Sequence, residues 1–494
     1  MKQKIVSGFL LLLSLSIFSQ TKFEVAGISY KQLTSSTVEV TSGTVKYSGN
    51  VVIPSQVTFS GQDFSVVAIG ENAFNYCNNM TSVVIPNSVT TIGKGAFTLC
   101  MQLSSFTIPN SVTFIGQNAF SYCAMSTLVI PNSITSIGDR TFQYCNELRS
   151  VSIPNSVRTI GKYAFSMCQK LTSIEIPNSV IALGDSSFYH SLNLSSITIP
   201  NSVASVGYHS FTNTAWFQNQ PNGLVYAGKV AYKYKGVMPA NTIITLADGT
   251  LSIGDYAFAN CNGLTNIHIP NTVLSIGSHA FYDCRGLTSI VLPNAVSSIK
   301  EYTFFNCNDL YSISIPNSIN SIGEYALSYC TSLNSITLPS SITSIGSYAF
   351  SYCSDLSSIS VNGSTPIDLM PSYSVFSNVK KSTCKLYVPQ GSKSAYQAAI
   401  QWKDFVNIIE NITNGSMPTT NLDLRISTNK ASGQVLIHGL SSVAKVTIYN
   451  LSGRQMLLQT ISPNEPILMS ALPCGMYLIT LNCSEGSFQS CFVK

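Results

Sequence analysis

The chain has 494 residues, of which 45% are hydrophobic and only 10% are charged, and its formal net charge is +5. Disordered chains combine low hydrophobicity with high charge, so this composition predicts an ordered protein whose polar surface comes from Ser, Thr, Asn and Gly. A net charge of +5 spread over 494 residues does not favour nucleic acid or an anionic membrane as a partner.

The first 20 residues have the pattern of a signal peptide. Lys2 and Lys4 precede an apolar run over residues 5–18, and polar sequence follows Gln20. A transmembrane helix needs about 20 apolar residues, and no later stretch approaches that length. We therefore predict an exported protein, found at the outer cell surface or secreted, that has no transmembrane segment.

Residues 21–68 alternate apolar and polar side chains around Ser-Gly-Asn and Ser-Gly-Gln turns. This alternation predicts short strands joined by tight turns. We interpret the segment as an N-terminal β cap, because the first coil of a repeat protein otherwise exposes apolar core and an unpaired strand edge.

A motif close to I-P-N-S-V-x-x-I-G-x-x-A-F-x-x-C-x-x-L recurs throughout residues 69–361. Its prolines are spaced by 22 or 23 residues on each side of one interruption, at Pro86, Pro109, Pro131, Pro154, Pro177 and Pro200, then at Pro270, Pro293, Pro316 and Pro339. A period of this length is typical of one supersecondary unit stacked on copies of itself. The sequence therefore predicts a solenoid of about a dozen coils.

Each coil has a short strand followed by a turn. In the coil at residues 172–177, Ile174 and Ile176 alternate with Ser173 and Glu175, so the isoleucines point inward and the polar residues outward. Proline then ends the strand, and we expect a brief helical turn to carry a phenylalanine into the core. This phenylalanine recurs at Phe74, Phe97, Phe120, Phe142, Phe165, Phe188, Phe211, Phe258, Phe281, Phe304 and Phe350, with Leu327 as the one replacement.

Ten of the 14 cysteines lie three residues after that phenylalanine or its replacement Leu327, at Cys77, Cys100, Cys123, Cys145, Cys168, Cys261, Cys284, Cys307, Cys330 and Cys353. Side chains at equivalent positions of neighbouring coils point in parallel, which is unfavourable for disulfide geometry. Free buried thiols are therefore favoured over bridges or a metal site. The pattern makes no prediction for Cys384, Cys474, Cys483 or Cys491.

The repeat is interrupted by an insertion over residues 215–250. The Ala-Gly-Lys turn between two alternating stretches predicts a β-hairpin. The insertion contains the solenoid's one cluster of aromatic and basic residues: Trp216, Tyr226, Tyr232 and Tyr234 beside Lys229, Lys233 and Lys235. These residues are candidates for binding a protein or glycan, and the alternative is that the aromatic rings pack the hairpin onto the coils.

The outward strand positions form a second candidate surface. Most of them are Ser, Thr or Val, and Glu175 and His268 are the ionisable exceptions. Solenoid proteins bind partners on such extended faces. The alternative is that small hydroxyl side chains merely tolerate crowding between close strands.

The repeat fades after residue 361. Residues 362–410 are predicted to form a C-terminal cap, and residues 411–421 form a polar linker containing Gly and Pro. Residues 422–494 have short alternating strands punctuated by glycine, which is typical of a small β-sandwich. The predicted strands are 434–437, 445–449, 455–460, 476–481 and 488–493.

The repeated motif resembles the BspA-like leucine-rich repeats of bacterial surface proteins over residues 40–410, including the hairpin insertion. The resemblance implies a leucine-rich-repeat solenoid, mostly parallel β-structure with short helical turns. The C-terminal region resembles the Ig-like sorting domain of the type IX secretion system through V-T-I-Y-N-L-S-G-R-Q (446–455), L-P-C-G-M-Y-L-I-T-L (472–481) and the final F-V-K. This resemblance implies contact with outer-membrane secretion machinery through residues 422–494.

No catalytic motif is present in the sequence. The five histidines do not recur with the repeat, and none has Cys or carboxylate neighbours at metal-ligand spacing. The sequence contains no G-x-S-x-G, H-E-x-x-H or glycine-rich phosphate loop. We therefore predict a non-enzymatic adhesin without metal or cofactor that binds a protein or glycan at a host or cell surface. The alternative is a structural surface scaffold with no specific ligand.

Overall fold

The computed structural model describes residues 21–411 and, beyond them, residues 425–429, 434–438, 443–450, 455–462, 465, 467–468, 472, 476–483 and 486–493. The chain divides into two compact units between Asn411 and Ile412. The predicted signal peptide and residues 412–421 of the predicted linker lie outside the described residues. Within the described residues, no helix has the length and apolar character needed to cross a bilayer.

The first unit begins with a group of strands that covers the end of the stack, at Lys22–Val25, Ile28–Gln32, Thr37–Val40, Gln56–Phe59 and Gln62–Ile69. The first two pair antiparallel, and Thr37–Val40 pairs in parallel with Gln62–Ile69. Phe23 stacks on Phe59 with ring centroids 4.2 Å apart. The cap therefore gives the first coil both an apolar cover and a paired strand edge.

The repeats form a parallel β-solenoid of about 15 turns with little helix. One series of strands, which we call the first ladder, comprises Gly49–Val52, Met80–Val84, Ser105–Phe106, Thr127–Val129, Ser150–Ser152, Ser173–Glu175, Ser196–Thr198, Thr242–Thr245, Leu264–His268, Ser289–Val291, Ser312–Ser314, Ser335–Leu338, Ser358–Val361, Lys385–Pro389 and Asn407–Asn411. Equivalent residues pair, as Ser173 with Ser196 and Glu175 with Thr198. The structure has more coils than the predicted dozen because strands at both ends and inside the insertion continue the ladder.

A second ladder runs along another side of the stack. It comprises Gln62–Ile69, Thr91–Ile92, Phe114–Ile115, Ser136–Ile137, Thr159–Ile160, Ala182–Leu183, Ser205–Val206, Val230–Lys235, Ser252–Ile253, Ser275–Ile276, Ser298–Ile299, Ser321–Ile322 and Ser344–Ile345. The glycine that follows the strand allows close approach of the coils: a Cβ on Gly277 would lie 2.6 Å from the carbonyl carbon of Gly254. This contact explains the glycine that recurs after this strand, with Lys300 as an exception.

The third side of each coil consists of tight turns rather than the predicted helical turn. Along residues 279–284, N–H groups alternate between two uses. Those of His279, Phe281 and Asp283 donate to the next coil, while that of Cys284 donates back to Phe281 within its own turn. In an α-helix, N–H groups after the first turn bond to the carbonyl four residues earlier, whereas alternate N–H groups here bond to the next coil, so the segment is not helical. The alternation also places His279 and Asp283 at φ of 57°.

The core is built on the recurring phenylalanines. Phe281 is fully buried and stacks between Phe258 and Phe304, with centroid distances of 5.4 and 5.3 Å. The apolar core divides into two clusters at the hairpin, where Tyr232 belongs to the first cluster and Ala231 to the second.

The repeat cysteines are free and buried, which confirms the predicted thiols. Eight of them donate from Sγ to the carbonyl of the core residue one coil earlier, as Cys307 does to Phe281 at 3.1 Å. Ser191 occupies this slot in another coil and makes the same bond to Phe165 at 2.8 Å. Cys384 is also free and buried. The side chains of Cys474, Cys483 and Cys491 lie outside the described residues.

The end of the first unit closes the stack with two short helices. An α-helix at Lys393–Ala398 is followed by a 3₁₀ helix at Trp402–Asp404. Trp402 is fully buried, and its Nε1 donates to the Ile367 carbonyl at 2.9 Å. The pair therefore covers the last coil with a large apolar ring whose polar atom is satisfied.

The second unit contains two antiparallel sheets. One has three strands, Arg425–Asn429, Gln434–His438 and Ile467–Leu468, and the other has four, Ala444–Asn450, Gln455–Ile461, Met476–Cys483 and Gly486–Val493. Buried residues of both sheets, including Val435, Val446 and Ile479, form one core cluster. The five predicted strands are present, and Arg425–Asn429 and Ile467–Leu468 were not predicted.

Phe281→Ala tests the central role of the stacked rings. We expect it to lower the free energy of unfolding by about 3–5 kcal/mol, because it leaves a cavity between two rings. Urea denaturation followed by circular dichroism measures the change. The matched control is Phe114→Ala, since Phe114 is 58% exposed, and it should cost less than about 1 kcal/mol. Equal losses in the two variants would contradict the predicted core.

Alkaline pH should destabilise the fold through its buried thiols. Burial raises the pKa of Cys145 and of Cys353 to about 12, from an ordinary value of 9.0. Above pH 9 the thiols of the unfolded chain ionise while the folded thiols stay protonated, so the free energy of unfolding falls as the pH rises towards 12.

Urea denaturation at a series of alkaline pH values measures this fall. In Cys353→Ser the free energy of unfolding should fall less steeply with rising pH. Iodoacetamide should label the thiols of the described coils only after unfolding. Rapid labelling of the native protein at these positions would show that the thiols are accessible and would refute the expectation.

Candidate binding surface

The outward side chains of the first ladder form an exposed face along the solenoid. They are Val84, Thr107, Val129, Ser152, Glu175, Thr198, Thr245, His268, Val291, Ser314, Thr337 and the half-buried Ser360. Most of the inward neighbours are buried, as predicted from the two-residue period, and Val151 and Ile153 are partly exposed. Glu175 and His268 are both exposed, on opposite sides of the insertion. The face is therefore mostly hydroxyl and apolar, with two ionisable side chains.

Thr245 is a member of this face that the motif did not reveal. Its strand, Thr242–Thr245, pairs in parallel with Leu264–His268, which places Thr245 beside His268. The segment lacks the I-P-N-S consensus, so the repeat period could not assign it. Its alternation of Thr and Ile was the available signal.

A cavity of about 570 Å³ opens on this face at Glu175. It lies between the coil of Ser150–Ser152 and that of Ser173–Glu175, and it extends to Thr198 and Pro200 on the following coil. We call it the Glu175 cleft. A charged side chain and a cavity coincide there.

The insertion forms the antiparallel hairpin Gly223–Ala227 and Val230–Lys235. Gly228 lies in its turn at φ of 61°, and a Cβ there would lie 2.7 Å from the Pro200 carbonyl oxygen. Close backbone approach therefore requires glycine in the turn that docks against the preceding coil.

The hairpin aromatics pack onto the coils. Tyr232 is 4% exposed, and its hydroxyl accepts a hydrogen bond from the Phe211 N–H at 3.1 Å. Tyr226 accepts from the Ala247 N–H at 2.9 Å. Trp216 lies 4.7 Å from the Phe211 ring, measured between centroids. Tyr234 is half-buried against the second core cluster.

The basic residues of the hairpin are less exposed than expected for a cationic patch. Lys229 and Lys233 are half-buried. Burial lowers the pKa of Lys233, because removal of water disfavours the ammonium form. The Lys235 ammonium donates to the carbonyl groups of Gln218 and Gln220. These contacts place Lys235 against the helix Ala215–Gln218.

Thr214 shows why this coil departs from the cysteine pattern. It occupies the cysteine slot and caps the helix Ala215–Gln218, where its hydroxyl accepts from the Phe217 N–H. A thiol is a weak acceptor, and threonine is a favoured N-cap. The start of the insertion therefore requires a different residue from the regular coils.

The structure contains a ridge of stacked aromatic rings on the turn side of the coils, which was not predicted from the sequence. It consists of Tyr208, Tyr256, His279, Tyr302, Tyr325 and Tyr348, with successive centroids 4.3 to 4.9 Å apart. From Tyr256 onward, each ring lies two residues before the core phenylalanine or Leu327, and this regular spacing was a usable signal. The rings cover one another's faces, so the ridge stabilises neighbouring coils and exposes mainly ring edges.

The described residues contain no group of His, Cys, Asp or Glu side chains suited to hold a metal ion. Burial lowers the pKa of His279, and nearby Glu301 and Asp255 act in the opposite direction. The thiols are buried with raised pKa values, as for Cys307. The chemistry that this surface offers is hydrogen bonding, apolar contact and two exposed ionisable side chains, Glu175 and His268.

Comparison with known families assigns the fold. The family model described as the BspA type leucine rich repeat region matches residues 67–180, 139–235 and 239–389, in six copies. The chain belongs to this family. Residues 428–494 match the secretion system C-terminal sorting domain. BspA-type proteins with this sorting domain are secreted and attached at the outer cell surface.

Solved structures of similar proteins include a leucine-rich repeat protein from Bacteroides ovatus, at 27% identity over 79% of this chain and 99% of that one, with a TM-score of 0.37. A leucine rich cell surface protein from Faecalibacterium prausnitzii is 28% identical over 70% of this chain and 96% of its own, with a TM-score of 0.38. The pneumococcal vaccine antigen PcpA is 19% identical over 79% and 99%, with a TM-score of 0.38. No curated protein matches the chain.

Tyr232→Phe tests whether the hairpin is held by its buried hydroxyl. The variant leaves the Phe211 N–H without its acceptor, so we expect a loss of about 1–3 kcal/mol in the free energy of unfolding. Tyr234→Phe is the matched control, because the structure gives the Tyr234 hydroxyl no hydrogen-bond partner among the described residues. Thermal denaturation of both variants distinguishes them, and an unchanged Tyr232→Phe would contradict the expectation.

Proposed function

We propose that this BspA-type protein is a non-enzymatic adhesin of the outer cell surface, which binds protein or glycan partners through the first-ladder face. The observation that carries the proposal is the continuous exposure of outward side chains from Val84 to Thr337. A long face of equivalent positions suits a partner that makes many modest contacts.

The composition of the face supports recognition by hydrogen bonds and apolar contact. Ser and Thr hydroxyls can donate and accept, and Val129 and Val291 are 68% and 58% exposed. Exposed valines among hydroxyl groups give adjoining apolar and polar contacts. This mixture is typical of the surface of non-obligate protein interfaces.

The hairpin is proposed as the support of this face and as a secondary contact. Trp216, Tyr226, Lys229, Lys233 and Tyr234 keep part of their surface exposed. Tyr232 lies in the first core cluster and packs the hairpin onto Phe211. A partner could therefore reach the hairpin rim while its base remains structural.

The domain organisation is proposed as a signal peptide (1–20), an N-terminal cap (21–68), the repeats (69–361), a C-terminal cap (362–410), a linker (411–421) and a sorting sandwich (422–494). The sorting domain implies contact with secretion machinery. In this arrangement the repeats are the part of the protein that remains available to partners after export.

A binding experiment separates the adhesin from a structural scaffold. The purified full chain is incubated with an array of matrix proteins and glycans, and any ligand captured is tested against Ser314→Arg combined with Thr337→Arg. Two long cations on the face should reduce binding about tenfold or more, because they obstruct contact and leave charges unpaired.

The matched control places the same two cations on the second ladder, as Ser136→Arg with Thr159→Arg, since both residues are exposed there. This control should bind as the wild type does. A Lys229→Glu variant tests the hairpin rim without deleting buried residues. Capture of no ligand, or equal losses in both double variants, would contradict binding through the first-ladder face.

A further inference from the structure

The Glu175 cleft lies at one of several breaks in the strand pairing of the first ladder. Ser150–Ser152 pairs with Thr127–Val129, and Ser173–Glu175 pairs with Ser196–Thr198, but the described residues contain no strand pairing between these two pairs. Among the described coils, only this one has both inward strand residues, Val151 and Ile153, partly exposed. The cavity is therefore an opening between coils that reaches apolar side chains.

The rim of the cleft carries free polar groups. Its polar side chains belong to Ser152, Asn155, Glu175, Asn178 and Thr198. None of these five side chains makes a hydrogen bond or ion pair with another described residue. They surround a cavity of about 570 Å³, which is large enough for a side chain and part of its backbone. All five side chains are exposed, so a ligand in the cavity can reach their hydrogen-bonding groups.

The charge of the cleft favours a cationic ligand. Glu175 is its one charged lining residue, and the equivalent positions on the adjacent coils are the neutral Ser152 and Thr198. The carboxylate therefore has no counter-charge within the cleft. A ligand ammonium or guanidinium would gain a charge-assisted hydrogen bond with it.

The apolar floor of the cleft favours a cation on an aliphatic side chain over a cation on a sugar ring. Val151, Ile153, Pro177 and Pro200 supply apolar surface along which methylene groups can lie. No aromatic ring lines the cavity. A sugar ring usually requires an aromatic face to stack on, so the lining favours an aliphatic stem with a terminal charge.

We propose that the Glu175 cleft binds a basic side chain, lysine or arginine, presented by a protein partner. The stem lies on Val151 and Ile153, the cationic group contacts Glu175, and the Asn155 and Asn178 amides bond the adjoining peptide groups. This inference rests on the proposed binding function and adds the chemistry of one anchor.

The test uses the full chain and a capped peptide, Gly-Ser-Lys-Ser-Gly, carrying a fluorophore. Fluorescence anisotropy measures its dissociation constant from the wild type, from Glu175→Gln and from Glu147→Gln. Glu147 is the matched control, because it loses the same charge outside the cleft, where it pairs with Lys170 at 2.6 Å. We expect Glu175→Gln to weaken binding about tenfold and Glu147→Gln to leave it unchanged.

Acetylation of the peptide lysine should abolish binding, since it removes the charge. The inference is overturned if the peptide does not bind, if Glu175→Gln binds it as the wild type does, or if the acetylated peptide binds equally. It is also overturned if free glucosamine binds more tightly than the peptide, because the ligand class would then be an amino sugar.

The array experiment distinguishes failure of the cleft proposal from failure of the adhesin proposal. A protein partner that binds the wild type and Glu175→Gln equally would remove the cleft as an anchor and leave the adhesin proposal intact. Peptide binding that depends on Glu175, with no partner captured by the array, would support the cleft and count against a specific adhesin.

Discussion

Hydrogen bonding between successive coils is the constraint on which the other features depend. At the turns, alternate N–H groups, such as those of Phe281 and Asp283, bond to the next coil. This holds equivalent residues at nearly constant spacing, so the phenylalanine rings stack about 5 Å apart and the Cys307 thiol reaches the Phe281 carbonyl. The same spacing demands glycine at positions such as Gly277, where coil backbones approach most closely. A substitution in one coil therefore acts through its two neighbours.

The hairpin shows how the stack accommodates a break in its period. Tyr232 fills the core beside Phe211, and its hydroxyl accepts from the Phe211 N–H. In a regular coil a backbone carbonyl of the next coil has this role, as that of Thr303 does for Phe281. Thr214 gives up the cysteine slot to cap the helix that enters the insertion. The aromatic cluster that suggests a binding patch in the sequence therefore serves mainly to pack the insertion onto the coils. What remains exposed for a partner is its rim and the face of the first ladder.

Much of the fold could be predicted from the sequence, since the period and the alternation of apolar residues are properties of the chain itself. They placed Phe120 and Phe281 in the core and Glu175 and His268 outside it. The helical turn was wrong in detail because bonding between coils competes with bonding within a turn. The tyrosine ridge was readable from its spacing, although only the structure shows that Tyr208 joins it across the insertion.

The amino-acid sequence by itself determined that this chain forms a stack of similar coils, which side chains face inward, and that its thiols are separated one to a coil. These properties follow from periodicity, and each coil repeats them. The tertiary structure decided which aromatic rings of the insertion are buried and that a cleft opens at Glu175. Both depend on how neighbouring coils are spaced and where strand pairing lapses. Those quantities arise from contacts about 20 or more residues apart along the chain, which a motif does not encode.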